Sequence, residues 1–233
     1  MKRIGNIFDQ IWDIDNVRLA WSNHNANIKF WKRKPIDELK VKELSDQLKD
    51  LVFDFGPYIK HKLFGGVFSK DRFLHIPTFY SAVAQRAIFN IIEPILDKSV
   101  NTHSFCARKN FGGLKCAMKI SRFVHTFKRK FCGRKNTRKK LYCLYFDIRK
   151  CYDNIHLETL YEIICGKIKD KNALSLIHKL IFSINTASNG FGLPIGNVGS
   201  HVFANLYLDS IYRRVSEIKK IKSVYVYMDN FTI

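Results

Sequence analysis

The sequence predicts an α+β fold in which helices cover one face of a sheet. Three observations carry this. Apolar residues recur at helical spacing over residues 12–53 and 79–96, the mark of amphipathic helices. Two short runs rich in aromatic and β-branched residues, at 141–146 and 223–227, read as buried strands. Between them lie a helix pair, a glycine-punctuated loop and a further helix, an order that suits helices on one side of a sheet. With 233 residues the chain holds one large domain or two small ones, and a real core in either case.

The elements follow in order. From Ile36 to Phe53, Leu39, Leu44, Leu48 and Leu51 share a broad inward stripe. Gly56-Pro57 breaks that pattern. Residues 58–76 are strand-like, with Gly65-Gly66 as a turn and Arg72 to Ile76 extended before Pro77. A helix from Phe79 to Leu96 places Val83, Ala87, Ile88, Ile91, Ile95 and Leu96 on one face, and Pro94 ends or bends it. A loop at 97–111 leads to a helix over roughly 114–127.

Next, Lys128, Arg129, Lys130, Arg134, Lys135, Arg138, Lys139 and Lys140 place eight cations in 13 residues, with Gly133 and Asn136 as loop formers. Such a run is either a solvated loop or a phosphate-contacting surface, and a subdomain boundary falls near it. After the first strand, Leu157, Leu160, Tyr161, Ile164 and Ile168 mark an amphipathic helix, and another follows near 172–183. The loop from Gly190 to Gly199 opens into a helix from Ser200, with Phe203, Leu206, Tyr207 and Ile211 on its apolar side.

Forty Lys+Arg against 20 Asp+Glu give a formal charge of +20 and a pI near 9.8. That field favours a polyanion, either nucleic acid or an anionic membrane surface. No apolar run approaches the ~18 residues that span a bilayer. The N-terminus lacks the apolar core of a secretory signal. The six cysteines form no CxxC pair, which argues against a zinc module and for the reduced thiols of a cytoplasmic protein.

Two aspartates follow the two strands: Asp147, with Asp153 six residues on, and Asp229. Taken singly, Asp147 reads as a strand-end or N-cap residue and Asp229 as part of an Asp-Asn turn. The stretch Gly192 to Asn197 between them reads as an ordinary Gly/Pro loop. Taken together, the ends of two adjacent strands bring carboxylates within reach of a pair of hard divalent cations about 3.5–4 Å apart. In a basic protein that points to phosphoryl transfer on a nucleic acid.

At these residues the chain resembles a known family. FDIRKCYDNI (146–155), GLPIGNVGSHVFANLYLD (192–209) and YVYMDN (225–230) look like the three palm motifs of reverse transcriptases. DRFLHIP (71–77), FNIIEPIL (89–96) and HSFCARKNFGGLKCA (103–117) look like the finger motifs. The resemblance covers roughly residues 45–233. Within the family it is most similar to the enzymes of diversity-generating retroelements, through GLPIGN and Lys167-Ile-Lys-Asp170.

The resemblance implies fingers over residues 1–135, with an N-terminal helical extension, and a palm over 136–233 built as an antiparallel sheet backed by helices. It implies an RNA-directed DNA polymerase that uses Mg2+ or Mn2+, with template RNA, a cDNA or primer and dNTPs, aided by a small basic accessory protein and needing no membrane. Asp147, Asp229 and Asn230 become the catalytic set, with Asp147, Asp229 and the Ile148 carbonyl around the metal. Tyr152 matches the aromatic gate beneath the sugar 2′ position, which implies DNA rather than RNA synthesis. Leu193, Pro194, Ile195, Gly196 and Asn197 line the pocket for the incoming base, with Ile195 where many retroviral enzymes carry glutamine. Lys70 and Arg72 either grip the triphosphate or are plain exposed hairpin charges. Arg108, Lys128, Arg129, Lys130, Arg134 and Lys135 are the expected nucleic-acid contacts.

The chain also departs from the family pattern. Asn230 stands where the motif has a second aspartate, which removes one negative charge and implies weakened or metal-shifted activity. Ser81-Ala82 replaces an Asp-Arg pair, and Gly199 and His201 replace the usual Thr and Gln. Ile233 lies three residues past Asn230, so the primer grip and thumb are absent and the palm is incomplete; a fragment or a decayed copy is implied. The rival readings are a catalytically silent nucleic-acid-binding module and a group II intron or retron-type enzyme.

Overall fold

A computed structural model describes residues 2–65, 72–131, 140–183 and 190–233, with the backbone alone for Arg72. Lys70, Arg134 and Lys135 lie outside the described residues. In chain order the elements are α1 (Phe8–Trp12), α2 (Ile14–Ala26), α3 (Glu38–Lys49), β1 (Tyr58–Leu63), β2 (Arg72–Pro77), α4 (Phe79–Asp97), α5 (Gly113–Phe131), β3 (Tyr145–Asp147), α6 (Leu157–Cys165), α7 (Lys171–Phe182), α8 (Ser200–Ser216), β4 (Tyr225–Tyr227) and β5 (Asn230–Thr232). The chain falls into two compact units interleaved along the sequence. One is Met1–Ser99 with Tyr152–Ala204; the other is Val100–Cys151 with Asn205–Ile233.

The first unit is mostly helical. Several of its helices begin at side chains that satisfy otherwise orphaned backbone N–H groups. Asp13 caps α2, Asp37 caps α3, Thr78 caps α4 and Asp170 caps α7. The Asp170 carboxylate also accepts from the backbone of Ile7 (2.9 Å) and Phe8 (3.1 Å), and Ile4 bridges to Ile168. The Lys167–Asp170 stretch therefore anchors the N-terminal segment to the start of α7.

The apolar face of α4 is legible from its spacing, and Val83, Ala87, Ile88 and Leu96 are fully buried. Ile91 and Ile95 are only half-buried, and Ile92 takes the inner position. Pro94 sits inside α4 on its exposed side, and the helix runs on to Asp97. The α3 stripe differs from expectation. Val41, Leu44, Ser45 and Leu48 face inward, while Leu39 is 82% exposed and Leu51 lies past the helix end. Leu39 lies about 140° around the helix from Leu44 and about 180° from Leu48, which puts it outside even a broad stripe. Strands β1 and β2 pair antiparallel from Tyr58↔Pro77 to Leu63↔Arg72.

The second unit holds a three-stranded antiparallel sheet in the order β3-β5-β4, together with α5 and the rest of α8. Phe146 and Phe231 stack with ring centroids 5.0 Å apart and planes 6° from parallel. They join a core of Cys151, Leu208, Val224 and Val226. A second cluster gathers Phe105, Cys116 and Tyr225 under the apolar face of α5.

Two expectations need correction here. The run at 141–146 is not a buried strand: pairing begins only at Leu144, which exchanges backbone hydrogen bonds with Ile233, and Tyr142, Leu144 and Tyr145 are exposed. The cause is position, because among the described residues β3 is an edge strand with β5 as its one neighbour. The α5 helix also runs four residues past 127, so Lys128, Arg129 and Lys130 are helical. Phe127 and Phe131 meet one turn apart at 4.8 Å, and cations in the last turn suit the helix dipole.

Candidate catalytic site

The hairpin β4–β5 turns through Met228 and Asp229, a two-residue connection between the paired residues Tyr227 and Asn230. Met228 holds a φ of +55°, the positive value a tight hairpin needs at its first turn residue. A β-branched or bulky residue at such a φ carries strain, and an unbranched Met tolerates it better. On the other side of β5, Asp147 pairs with Asn230, and the Ile148 N–H donates to the Asp229 carbonyl at 3.0 Å. The two aspartates are thus brought together at one end of the sheet, from β3 and from the hairpin turn.

Strand alternation decides which side chains share their face. Phe146 and Phe231 point into the core, so Tyr145, Asp147 and Asn230 occupy the opposite face. Asp147 is exposed, and Asp229 and Asn230 are half-buried. The Asn230 amide nitrogen donates to Asp229 Oδ1 at 3.3 Å, and the Tyr145 hydroxyl donates to Asn230 Oδ1. Beneath them lies Cys151. Its burial, with the charges of Asp229 and Asp147 in support, pushes the thiol up to about 11.

The donor set fits a hard cation in part. Among the described residues no three His, Cys, Asp or Glu side chains gather to hold a metal. Two carboxylates at a solvent-facing sheet end nevertheless match the way Mg2+ is bound beside substrate phosphates, through one or two carboxylates and several waters.

Tyr152, Arg72 and the residues expected to line the pocket for the incoming base lie in the first unit. Tyr152 is half-buried in a short turn, and its carbonyl accepts from Leu193 N at 2.8 Å. The Ile155 carbonyl accepts from Gly192 N, and Leu157 N donates to the Gly190 carbonyl, so the 190–193 stretch runs along 152–157. From the other direction, His75 N in β2 donates to the Ile195 carbonyl at 2.8 Å. Gly196, at φ +97°, passes so close to Leu74 that an added Cβ would lie 3.3 Å from the leucine Cβ. Tyr152, the Leu193–Asn197 loop and the backbone of β2 that carries Arg72 are therefore gathered in one unit.

Gln85 was not singled out from sequence, yet it holds this loop. Its side chain is wholly buried. It accepts from Val198 N at 3.3 Å and donates to the Tyr58 hydroxyl and to Ser81 Oγ. The signal was available: a glutamine on the apolar face of a helix needs buried partners. Ser81 donates to the Phe55 carbonyl at 2.7 Å, and Ala82 is buried, so neither position has room for an exposed charged pair.

The cationic residues divide. Arg108 donates to the carbonyls of Asn101 (2.6 Å) and Ser104 (2.9 Å) and lies over the Phe111 ring, folding its own loop. Lys128, Arg129 and Lys130 are exposed on the last turn of α5. An apolar groove of about 960 Å3 in the same unit, lined by Phe123, Phe127, Leu141, Tyr142 and Ile233 among others, contains none of the expected site residues.

Asp147 and Asp229 thus stand together at the end of a small antiparallel sheet in a strongly basic chain. Residues 60–233 match the reverse transcriptase (RNA-dependent DNA polymerase) family, and the chain belongs to that family. It is similar to the group II intron-encoded protein LtrA of Lactococcus lactis subsp. cremoris, with 29% identity over 187 residues, 78% of this chain and 29% of the relative. It is also similar to a putative COX1/OXI3 intron 2 protein of Saccharomyces cerevisiae, with 24% identity over 191 residues, 76% of this chain and 20% of the relative. The chain thus spans under a third of the length of these relatives. No helix among the described residues is long and apolar enough to cross a membrane.

Proposed function

We propose that this chain carries the catalytic palm and part of the fingers of an RNA-directed DNA polymerase, adding dNTPs to a primer on an RNA template. The observation that carries the reading is the pairing of Asp147 with Asn230 and the Ile148–Asp229 hydrogen bond, which put both carboxylates at one sheet end. In this reading Asp147 and Asp229, with the Ile148 carbonyl, hold Mg2+ or Mn2+. The ions, when bound, activate the primer hydroxyl and steady the leaving phosphate. The remaining work is positioning. Tyr152 excludes a 2′-hydroxyl, the loop Leu193–Asn197 meets the incoming base, and Arg72 and Lys70 serve the triphosphate. Lys128, Arg129 and Lys130 offer a last-turn cluster to a nucleic-acid backbone, together with Arg134 and Lys135.

Primer extension on an RNA template, in Mg2+ and in Mn2+, tests the reading. DNA product should fall at least about 1000-fold in Asp147→Ala, since several kcal/mol of charge stabilisation are lost and each 1.36 kcal/mol is tenfold. No product in either metal, or equal product from the variant, rules it out in favour of a silent nucleic-acid-binding module.

The intron-encoded relatives favour a group II intron type of enzyme. A diversity-generating retroelement, with its small basic accessory protein, is the second reading and rests on GLPIGN. The Lys167–Asp170 stretch also carries the N-terminal anchor, which is reason enough for its residues. Template and variable repeats flanking the gene would decide for the retroelement.

A further inference from the structure

We infer that Tyr145 is a positioning residue. It fixes the Asn230 side chain as a hydrogen-bond donor to Asp229 and keeps the amide oxygen turned away from any cation held by the two aspartates. The inference rests on the proposed metal role of Asp147 and Asp229, and it concerns what Asn230 contributes there.

Asn230 is two residues from Thr232, the partner of Tyr145 in the β3–β5 register. Diagonal neighbours of this kind are within reach of an aromatic side chain. Tyr145 lies on the same face of β3 as Asp147, two residues away, so its hydroxyl reaches over the Asp147–Asn230 pair. There it donates to Asn230 Oδ1. The other end of the amide, Nδ2, donates to Asp229 Oδ1 at 3.3 Å.

Chemistry selects this orientation over the flipped one. A carboxylate only accepts, so the amide must present its nitrogen to Asp229. A tyrosine hydroxyl can donate to the oxygen left on the other side. Flipping the amide would set Oδ1 against a carboxylate oxygen. An amide oxygen can ligate a hard cation, but here it already accepts from Tyr145 through one of its two lone pairs, so ligation would compete with that bond. Asn230 therefore supports Asp229 instead of joining it as a ligand, and the cation is left with carboxylate oxygens and substrate phosphates.

The test has two readouts. In the metal-free protein, the side-chain NH2 resonances of Asn230, assigned by their loss in Asn230→Ala, should move in Tyr145→Phe and again in Asp229→Asn. Resonances that stay put in both variants overturn the inference. In Mn2+ titrations, Tyr145→Phe should tighten binding about threefold, the size of one modest hydrogen bond, because the freed oxygen can now turn to the ion. The same substitution should change nothing in an Asn230→Ala background. An equal change in both backgrounds, or none in either, overturns the inference; thermal unfolding of each variant confirms that the fold is kept. If the protein binds no Mn2+ and Asp147→Ala makes no difference, the polymerase reading fails, while the amide resonances still decide the role of Tyr145.

Discussion

The ring of Phe89 fills the space that a Cβ on Gly199 would occupy, and Gly199 holds a φ of +75°. Phe89 is wholly buried on α4 and packs on Phe203 of α8 with ring centroids 5.1 Å apart. The glycine that departs from the family's usual threonine is thus complementary to a phenylalanine 110 residues earlier in the chain. Both the backbone conformation and the packing exclude a side chain at position 199.

Gly199→Ala should therefore cost about 2–5 kcal/mol, from overpacking of ~1–3 and a left-handed backbone penalty of ~1–2. Urea unfolding measures it. Phe89→Leu added to Gly199→Ala should recover the packing share and leave the backbone share. A Gly199→Ala protein as stable as wild type would mean that Phe89 has room to move.

Asp170 gives a pH-dependent link. Burial would raise its pKa, but N–H groups of Ile7, Phe8, Ala173 and Asn172 outweigh burial and hold it below the ordinary carboxylate value. A carboxyl with a depressed folded-state pKa stabilises the fold above its unfolded pKa, near 3.9, and loses that contribution as pH falls through the folded value. Asp170→Ala should thus destabilise by about 1 kcal/mol at pH 7, as the loss of an N-cap does. The gap between variant and wild type should narrow below about pH 4. A gap that is constant from pH 7 to pH 3, followed by thermal unfolding, would show that the charge of Asp170 is not what matters.

How far the sequence can be read depends on what each element packs against. The α4 helix is legible because a long buried helix repeats its apolar face for five turns, so single exceptions such as Ile91 do not hide it. The run at 141–146 misleads because aromatic composition reports strand preference and not how many neighbours the strand will have. Tyr142 and Leu144 run into an edge strand, β3, from its N-terminal side, and both are exposed. The aspartates were visible because each follows its own strand, whereas the Tyr145 contact with Asn230 depends on the register between β3 and β5. Gln85 was missed for a similar reason: its partners Tyr58, Ser81 and Val198 come from three separate parts of the chain.

The cysteines should separate cleanly by reactivity. Cys143 is exposed, whereas Cys106, Cys116 and Cys151 are buried. Burial raises all three buried thiols, with Cys151 up to about 11. Only the thiolate reacts with alkylating agents, so at pH 8 Cys151 is both shielded and almost wholly protonated. Iodoacetamide followed by peptide mass mapping should find Cys143 modified before Cys106 and Cys116, and Cys151 modified only in denaturant. Early labelling of Cys151 would mean that the core beneath the two aspartates opens readily.

Tyr152 contributes to the Leu193–Asn197 loop through its carbonyl, which accepts from Leu193 N. Removing the ring leaves that backbone bond in place, so Tyr152→Ala should change the space near the loop without releasing it. If the ring is the barrier to a 2′-hydroxyl, the variant should raise kcat/KM for ribonucleotides at least about tenfold, with a smaller change for deoxynucleotides, in the range that steric discrimination by a single group provides. Single-nucleotide extension with paired dNTP and rNTP series measures both. Equal losses for the two sugars would place Tyr152 in the support of the loop alone, and selection would then have to come from another side chain.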